Sequence, residues 1–368
     1  MKIAFVTDTF YPSTNGLATR LSESIRSLTR QGHEIIVIAP DQAVSDFEGA
    51  KVYGISSFRF CLCLNFPLSL PGSPLGKRLR KFKPDIVHIV NPGLLGTAAF
   101  WLTRRYPLVA SYHTHIPKLA DFYKVPWLKP MVWSYLRLLH NKAELNLCTS
   151  RSMMKHLTQQ YLRNVQIWER GVNIELFHPR RRNEEMRHLL SEGETDKRVL
   201  LYVGRLTAEK QIERLRSALI ASKKFRLAIV GDGPHKPQLE NYFAGTGTVF
   251  TGLLHGIKLA QAFASSDIFV LPSVNETVGL VLLEAMASGL PVVAPSSELS
   301  REQVVHGNTG FLYDPDIRKG LMEALLPLLD EALLQRAGEQ AREFARIQSW
   351  EGPSKQLLEW YKMIVKEQ

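Results

Sequence analysis

The sequence predicts an α/β protein of two doubly wound domains, each with a mostly parallel sheet between layers of helices. The chain has 368 residues, which is longer than a single hydrophobic core usually supports. We therefore expect two domains of roughly 170–190 residues. Short apolar segments typical of buried strands alternate with amphipathic helical segments in the first half, and the alternation begins again near Val199. Several of these strands run into a polar, glycine-containing loop before the next helix, as in a βαβ unit.

The first half contains predicted strands at 2–10, 34–39, 85–90, 107–112 and 145–148. Between them the apolar spacing predicts a helix that begins at Leu17 and others at 73–84, 94–105 and 151–161. Gly16 directly precedes the first helix, where glycine allows backbone to approach a ligand, although a turn glycine explains it equally well. The loop before it lacks the GxGxxG pattern, so a bound dinucleotide is not expected.

The second half contains further predicted strands at 199–203, 227–230, 249–251, 268–271 and 291–294. Helices are predicted from Gln211 onward and at 256–264, 279–287 and 350–365. The polar segment 177–197, which carries proline, several arginines and one short helix, is the best candidate for a linker.

Residues 267–294 carry the strongest indication of a ligand site. The helix at 279–287 is apolar almost all round, so we expect it to be buried, yet it contains Glu284. An unpaired buried charge is strongly unfavourable, so Glu284 needs a partner or a ligand. Glu276 lies in the loop before the same helix, whose N-terminal N–H groups attract anions. Carboxylates can bind hydroxyl groups, and the N–H groups beside them can bind phosphate. A ligand that carries both kinds of group is a nucleotide sugar, which this stretch therefore indicates. The alternative is that one carboxylate caps the helix and the other pairs with a core arginine.

Two cations, Arg205 and Lys210, follow the first strand of the second half. They lie at the carboxyl end of a predicted parallel strand, where doubly wound sheets bind ligands, and would suit a diphosphate. The alternative is a salt bridge with Glu209 or Glu213.

A histidine pair, His113 and His115, ends another predicted strand. The carboxyl end of a parallel strand favours a role in ligand binding over a structural role. The pair also resembles part of a metal site, but no third ligand is evident nearby, so no metal is expected.

The net charge of +11 lies entirely in the first half. Residues 1–180 hold 23 Lys and Arg against 11 Asp and Glu, or +12, whereas residues 181–368 hold 23 against 24, or −1. This asymmetry indicates an anionic partner for the first half, such as a membrane surface. A nucleic-acid-binding protein is a weaker alternative because the sequence has no recognised nucleic-acid motif.

The densest basic run, 77–83, has five Lys and Arg in seven residues. The same predicted helix has an apolar stripe formed by Leu75, Leu79 and Phe82. The helix would either dock on anionic lipid or pack its stripe on the sheet, and the two interpretations are compatible. The aromatic segment 122–139 has the same two interpretations, interfacial contact or core packing.

The composition is that of an ordinary globular protein, with 45% hydrophobic and 22% charged residues. No apolar run reaches the ~18 residues that span a bilayer, and the chain leads directly into a strand, so no secretory signal is expected. The cysteines at 61, 63 and 148 are too few and wrongly spaced for a disulfide framework or a four-ligand zinc site. We expect a cytoplasmic protein.

Several motifs together resemble glycosyltransferase family 4, which has the GT-B fold of two Rossmann-like domains facing a cleft. In the second half these are Gly204-Arg205 with Lys210, the turn GDGP at 231–234, and Glu276 with Glu284 in E-x7-E spacing. In finer detail the chain resembles the sulfoquinovosyl transferases of sulfolipid synthesis. That resemblance rests on SYHTHIP (111–117), WLKPMVWSYLRLLH (127–140), FHPRRRNEEMR (177–187), FTGLLHG (250–256) and ETVGLVLLEAMASGLPVVA (276–294).

The resemblance implies a division of the chain by function. Residues 1–178 would form an acceptor-binding domain on the membrane side, and residues 197–348 would bind the nucleotide sugar. The helix at 349–368 would cross back to pack on the first domain.

The resemblance also implies individual roles. Arg205 and Lys210 would hold the diphosphate, Glu276 the sugar hydroxyls and Glu284 the ribose, while His113 would contact the sugar near the reacting carbon. Catalysis would therefore rest on His113, Glu276, Arg205 and Lys210. The implied donor-binding residues are Gly16, Arg205, Lys210, Gly252, Leu253, Glu276, Thr277, Val278, Gly279, Leu280 and Glu284.

The implied reaction transfers sulfoquinovose from UDP-sulfoquinovose to diacylglycerol with retention at the anomeric carbon, using no cofactor and no metal. It would take place at the cytosolic face of a thylakoid or plasma membrane. A transferase that uses GDP-mannose or UDP-glucose on another lipid is the alternative. Arg170, where many relatives have Asn, could pair with a sulfonate, but mannosyltransferases often carry Arg there too.

One further motif, Asp314-Pro315-Asp316, matches the DxD metal motif of the other large glycosyltransferase fold. It precedes a predicted helix, so N-capping explains it better than metal binding.

Overall fold

The computed structural model of the protein describes residues 1–11, 16–40, 44–59, 67–69, 73–90, 93–103, 105–113, 117, 125–274, 276 and 279–367. Within the chain, contacts define two units. The first comprises Met1–Arg170 together with Trp350–Gln368, and the second comprises Gly171–Ser349. Among the described residues no helix is both long and apolar enough to cross a membrane.

The first unit is built on an eight-stranded sheet whose order is β10-β9-β8-β7-β1-β2-β4-β3. All neighbouring strands are parallel except the short edge strand β3. Strands buried on both faces explain the continuous apolar runs in the sequence. The strands are β1 (Lys2–Thr7), β2 (Glu34–Pro40), β3 (Asp46–Phe47), β4 (Ala50–Ile55), β7 (Ile86–Val90), β8 (Leu108–Ser111), β9 (Leu145–Cys148) and β10 (Val165–Ile167); β5 (Ser57–Arg59) and β6 (Pro67–Ser69) form a separate hairpin.

Helices cover both faces of this sheet. On one face α1 (Gly16–Arg30) buries Leu21 and Ile25 against β1 and β2. On the other face α2 (Ser73–Phe82), α3 (Leu94–Leu102) and α4 (Lys129–His140) pack on the alternate residues of the strands, with Leu79 and Phe100 fully buried. The remaining helix, α5 (Arg151–Gln159), packs beside β9 and β10 through Leu157.

The second unit contains a fully parallel sheet in the order β13-β12-β11-β14-β15-β16. Numbered within the unit, this order is 3-2-1-4-5-6, which is the Rossmann order, with the reversal between the first and fourth strands. The strands are β11 (Arg198–Val203), β12 (Phe225–Val230), β13 (Val249–Gly252), β14 (Ile268–Val270), β15 (Val292–Pro295) and β16 (Gly310–Tyr313).

Helices again cover both faces. One layer includes the apolar helix α10 (Leu280–Ala287) and the other includes α7 (Arg216–Ala221) and α12 (Gly320–Leu325), and each layer packs on alternate residues of β11. The helices are α6 (Glu184–Leu190), α7 (Arg216–Ala221), α8 (Lys236–Tyr242), α9 (Gly256–Ala264), α10 (Leu280–Ala287), α11 (Glu298–Gln303), α12 (Gly320–Leu325) and α13 (Glu331–Arg346).

The last helix, α14 (Glu351–Lys366), returns to the first unit. Leu357 and Tyr361 are fully buried in the core that α1 also serves. Two polar contacts fix the helix: Tyr361 Oη lies 2.6 Å from His88 Nδ1, and Trp168 Nε1 donates to the Pro353 carbonyl oxygen at 3.2 Å. The predicted return of the C-terminal helix is confirmed.

Two details differ from the sequence interpretation. The segment proposed as a linker packs within the second unit, because Phe177, Met186 and Leu190 are buried side chains of its core. The single helix expected from Gln211 is instead two 3₁₀ turns, Ala208–Lys210 and Ile212–Leu215, followed by α7. Gln211 itself has a left-handed conformation, with φ of 52°, which interrupts the helix at that residue.

Candidate active site

The predicted ligand residues of the second unit meet at one edge of its sheet. Arg205 follows β11, Gly231 follows β12, Gly252 ends β13 and Glu276 follows β14. These four strands are neighbours and parallel, so their carboxyl ends and the loops that follow lie side by side. The reversal in strand order falls between β11 and β14, which places Arg205 and Glu276 at the position where such sheets bind ligands.

Glycines allow the loops after β11, β12 and β13 to touch through backbone. A Cβ built on Gly231, whose φ is +146°, would lie 1.9 Å from the Gly204 carbonyl oxygen, and one on Gly233 would lie 2.3 Å from the Leu206 carbonyl oxygen. Gly204 N–H donates to the Val230 carbonyl oxygen at 3.0 Å. The GDGP turn is therefore a packing requirement of the site, which holds the Arg205 loop against its neighbour.

Lys210 and Glu276 form an ion pair at the centre of this edge. Both side chains are largely buried, with 14% and 16% of their surfaces exposed. Arg205 differs: its guanidinium is 64% exposed and lies 3.6 Å from Glu209. The alternative of a salt bridge with Glu209 thus holds for Arg205, whereas Lys210 pairs with Glu276. The ammonium expected to bind phosphate and the carboxylate expected to bind the sugar are therefore paired with each other in the structure.

Tyr202 is a site residue that the sequence analysis missed. Its hydroxyl donates to the Arg205 carbonyl oxygen at 3.1 Å, which fixes the backbone that carries the guanidinium. Burial, together with the nearby Glu276 carboxylate, holds the pKa of Tyr202 well above its usual value, so the hydroxyl remains a donor. A tyrosine in an apolar strand gave no signal of this contact.

Helix α10 has the buried, apolar character that the sequence predicts. Its N-cap is Gly279, with φ of 65°, and a Cβ there would lie 2.6 Å from Gln303 Nε2. Leu280 is buried at the first helical position. Thr277 and Val278, whose N–H groups were predicted to bind the donor, lie outside the described residues.

Glu284 lies on this helix without a partner among the residues that the structure describes: neither an ion pair nor a hydrogen bond reaches its carboxylate. Burial raises its pKa from 4.5 to about 7. The predicted unpaired carboxylate is therefore present, on a side chain that is half-buried rather than fully enclosed, and the alternative of a pairing with a core arginine does not hold within those residues. A carboxylate in this environment is stabilised by a ligand that donates hydrogen bonds to it.

The turn at Gly252 and Leu253 leaves an open surface beside these groups. Gly252 has φ of 74° and no heavy atom within 4 Å of a built Cβ, and its carbonyl oxygen accepts from Gly231 N–H at 2.9 Å. Leu253 is 57% exposed. An exposed apolar side chain on a fixed turn suits contact with the flat face of a base.

In the first unit, His113 follows β8 and is buried. Its Nε2 lies 2.9 Å from Ser111 Oγ, and its ring packs edge-on against Trp168 at 5.9 Å. Burial, with Arg20 and His88 nearby, holds the pKa of His113 well below its usual value. The imidazole is therefore neutral, and it can exchange hydrogen bonds with a hydroxyl but does not supply a positive charge.

Asp8 is a second residue that the sequence analysis missed. It follows β1 and accepts hydrogen bonds from Gly93 N–H at 2.9 Å and Leu95 N–H at 3.2 Å, so it caps the start of α3. Burial raises its pKa. Gly16, predicted to close over the diphosphate, is the first residue of α1, and the loop before it lies outside the described residues.

The DxD-like segment does not cap a helix as predicted. Asp314 accepts from Asp316 N–H at 2.9 Å in a local turn, and α12 begins later, at Gly320. Both carboxylates are exposed. In the described part of the chain no three His, Cys, Asp or Glu side chains group as metal ligands, and the metal-free reaction remains a prediction.

Two Rossmann-like units with this strand-edge site define a glycosyltransferase of the GT-B fold. Residues 14–176 match the family Glycosyltransferase Family 4, and residues 197–331 match Glycosyl transferases group 1. The chain belongs to glycosyltransferase family 4. The resemblance and the fold class inferred from sequence are confirmed.

Three of the similar proteins are named for transfer of different sugars. The chain is 39% identical to sulfoquinovosyl transferase SQD2 of Arabidopsis thaliana, covering 94% of this chain and 70% of that protein. It is 35% identical to a GDP-mannose-dependent alpha-mannosyltransferase of Mycobacterium tuberculosis, covering 99% and 97%. It is 27% identical to alpha-monoglucosyldiacylglycerol synthase of Streptococcus pneumoniae, covering 90% and 79%.

Solved structures show the same fold at lower identity. Sucrose-phosphate synthase of Thermosynechococcus elongatus is 19% identical, with a TM-score of 0.81 and full coverage of both chains. Anabaena HepE in complex with UDP and glucose is 18% identical, with a TM-score of 0.78 over 98% of this chain and 99% of that one.

Proposed function

We propose that the protein is a retaining glycosyltransferase that moves sulfoquinovose from UDP-sulfoquinovose to diacylglycerol. The observation that carries this proposal is the 39% identity with SQD2 over 94% of the chain. A diacylglycerol-based acceptor also agrees with the alpha-monoglucosyldiacylglycerol synthase among the relatives.

The donor is proposed to replace ion pairs that the site residues form with one another. Its diphosphate would bind the exposed Arg205 guanidinium and the Lys210 ammonium, and the ion pair between Lys210 and Glu276 would break. The released Glu276 carboxylate would then accept hydrogen bonds from sugar hydroxyls. Glu284, which lacks a partner among the described residues, would accept from the ribose, and Gly252 and Leu253 would face the base.

In the proposed reaction the bond between the anomeric carbon and the UDP oxygen breaks, and the bond from that carbon to the acceptor oxygen forms on the same face. The acceptor proton passes to a phosphate oxygen of the leaving UDP. Arg205 and Lys210 stabilise the negative charge that grows on the diphosphate, which is electrostatic catalysis without a metal. The neutral imidazole of His113 and the backbone at Gly16 keep their predicted roles as contacts to the sugar and the diphosphate.

The first unit is proposed to dock on an anionic membrane surface, where diacylglycerol resides. Lys77, Arg78, Arg80, Lys81 and Lys83 are all exposed on or just after α2. The apolar stripe of this helix does not take part as predicted, because Leu75 and Leu79 are 0% and 1% exposed and belong to the core. Electrostatic attraction therefore carries this contact, at about 1 kcal/mol for each cation near the surface.

Apolar contact with the bilayer is proposed to come from α4 and the turn before it. Trp127 is 74% exposed and Met131 64% exposed, one helical turn apart. Trp133, by contrast, is buried, so the described part of the predicted aromatic segment divides between surface and core. Since α2, α3 and α4 cover the same face of the first sheet, the basic and apolar groups lie on one side of this unit.

A GDP-mannose-dependent reaction is the second candidate. It is supported by the 35% identity with the mycobacterial mannosyltransferase, which spans 99% of this chain and 97% of that protein.

The deciding experiment incubates the protein with diacylglycerol vesicles and, in separate reactions, UDP-sulfoquinovose, UDP-glucose and GDP-mannose, followed by mass analysis of the lipid. Sulfoquinovosyl diacylglycerol as the main product supports the proposal. Preferred transfer of mannose or glucose would replace it with the corresponding alternative.

A further inference from the structure

A pocket of about 320 Å³ lies in the second unit among residues that have no role in the proposed donor site. It is formed by the start of α7, the end of α8 and the loop between β16 and α12. The volume is within the range of small-molecule sites. The lining residues that matter for the argument are Arg214, Arg216, Arg318, Tyr242, Tyr313 and Ile317.

The lining is strongly basic. Arg214, Arg216 and Arg318 make no ion pair within the described residues; Arg214 Nη1 donates only to the Pro315 carbonyl oxygen, at 2.9 Å, and the Arg216 guanidinium lies 5.0 Å from the centre of the Tyr242 ring. The one lining carboxylate, Glu213, contacts His235 Nε2 at 2.5 Å. Three arginines and one carboxylate therefore line the pocket, and the carboxylate has its own partner.

Tyr313, a buried lining residue of the pocket, supplies a hydrogen-bond donor. The residue is 6% exposed, and its hydroxyl has no hydrogen-bond partner among the described residues. A buried hydroxyl without a partner is unfavourable, so a ligand oxygen that accepts from it would be stabilised.

The rim of the pocket is apolar. Ile220, Ile317 and Tyr242 are 70%, 54% and 45% exposed, respectively, and all three line the pocket. A ligand with an apolar body would cover these side chains while its charged end meets the arginines.

We propose that this pocket is a second ligand site, which binds a small organic anion: a phosphate monoester or a sulfonate with an apolar body. The arginines bind the anionic group, Tyr313 donates a hydrogen bond to it, and Tyr242 with the two isoleucines covers the apolar part. This site is independent of the identity of the sugar donor.

The test is calorimetric titration of the intact protein with phenyl phosphate, in the presence and absence of saturating UDP. We expect one saturable site with a dissociation constant below about 1 mM, unaffected by UDP. Inorganic phosphate, which has no apolar body, should bind at least roughly tenfold more weakly.

Substitutions in the lining test whether phenyl phosphate binds in this pocket. Arg318→Gln and Tyr313→Phe should each weaken phenyl phosphate binding by roughly tenfold. Arg336→Gln, which removes an equally exposed cation on α13 outside the pocket, should leave it unchanged. Arg318 is on the surface, so its variant tests the site even if Tyr313→Phe folds poorly.

Several outcomes would overturn the proposal. These are the absence of saturation up to about 10 mM, complete competition by UDP, or equal losses in Arg318→Gln and Arg336→Gln. Equal affinity for inorganic phosphate would overturn the assignment to a ligand with an apolar body.

Discussion

Glu284 offers the sharpest test of the donor site, because one substitution has opposite effects on stability and binding. Burial raises the pKa of this carboxyl from 4.5 to about 7. The folded protein therefore holds a proton that the unfolded chain has released between these pH values, and stability falls as pH rises through that window. The loss is about 1 kcal/mol at pH 5 and about 3 kcal/mol at pH 8, since each pKa unit corresponds to 1.36 kcal/mol.

Glu284→Gln removes this charge and keeps the side-chain volume. We expect the variant to be more stable than the parent by about 3 kcal/mol at pH 8 but only about 1 kcal/mol at pH 5. For a unit of this size, 3 kcal/mol corresponds to a rise in Tm of roughly 6–12 °C. Scanning calorimetry at the two pH values is the suitable assay, because all six tryptophans lie in the first unit and fluorescence would not report on α10.

The same variant should bind UDP at least roughly tenfold more weakly, because it loses charge-assisted hydrogen bonds worth about 1.5–3 kcal/mol. Glu339→Gln, which neutralises an exposed carboxylate on α13, serves as the control and should change neither property. A stability gain that is equal at both pH values would refute the buried-charge reasoning. Unchanged UDP affinity would refute the ribose contact.

Four further outcomes are expected. Arg205→Ala and Lys210→Ala should each lower kcat by about 10²-fold, because each removes charge that stabilises the leaving diphosphate; steady-state kinetics with loss confined to KM would contradict this. Activity should survive EDTA, and an enzyme that recovers only when metal is returned would exclude the metal-free reaction. Tyr361→Phe should destabilise the first unit by about 1 kcal/mol in urea titrations followed by fluorescence, since it removes the contact to His88. Replacing Lys77, Arg78, Arg80 and Lys81 with Gln should abolish co-sedimentation with anionic liposomes while UDP binding persists; unchanged sedimentation would show that these side chains are only solvated.

The strand-edge site could be predicted because its signals are local. Glu284 stands out in an apolar helix, and Arg205 follows a strand whose parallel neighbours can be read from their apolar runs. A parallel sheet brings the carboxyl ends of its strands together whatever the details of packing, so the convergence of these residues follows from sequence order alone.

Pairings across the sheet edge could not be predicted in the same way. Glu209 is adjacent to Lys210 and four residues from Arg205, so it was the nearer candidate for both cations. Lys210 instead pairs with Glu276, 66 positions away. The chain around Lys210 forms two 3₁₀ turns on either side of left-handed Gln211, and no glycine or asparagine at that position signals the break. Similarly, Leu75 and Leu79 form an amphipathic pattern that fits lipid and protein equally well, and only the packing of α2 on the sheet decides between them.

The return of α14 to the first unit makes the second unit an insertion within the first. On a ribosome, every residue of the second unit emerges before Tyr361, so its sheet can be complete while the core around His88 and Trp168 still lacks α14. The core of the first unit is therefore incomplete until α14 has been synthesised. A nascent chain halted before that point would present an open apolar groove beside α1, which is the kind of surface that chaperones bind.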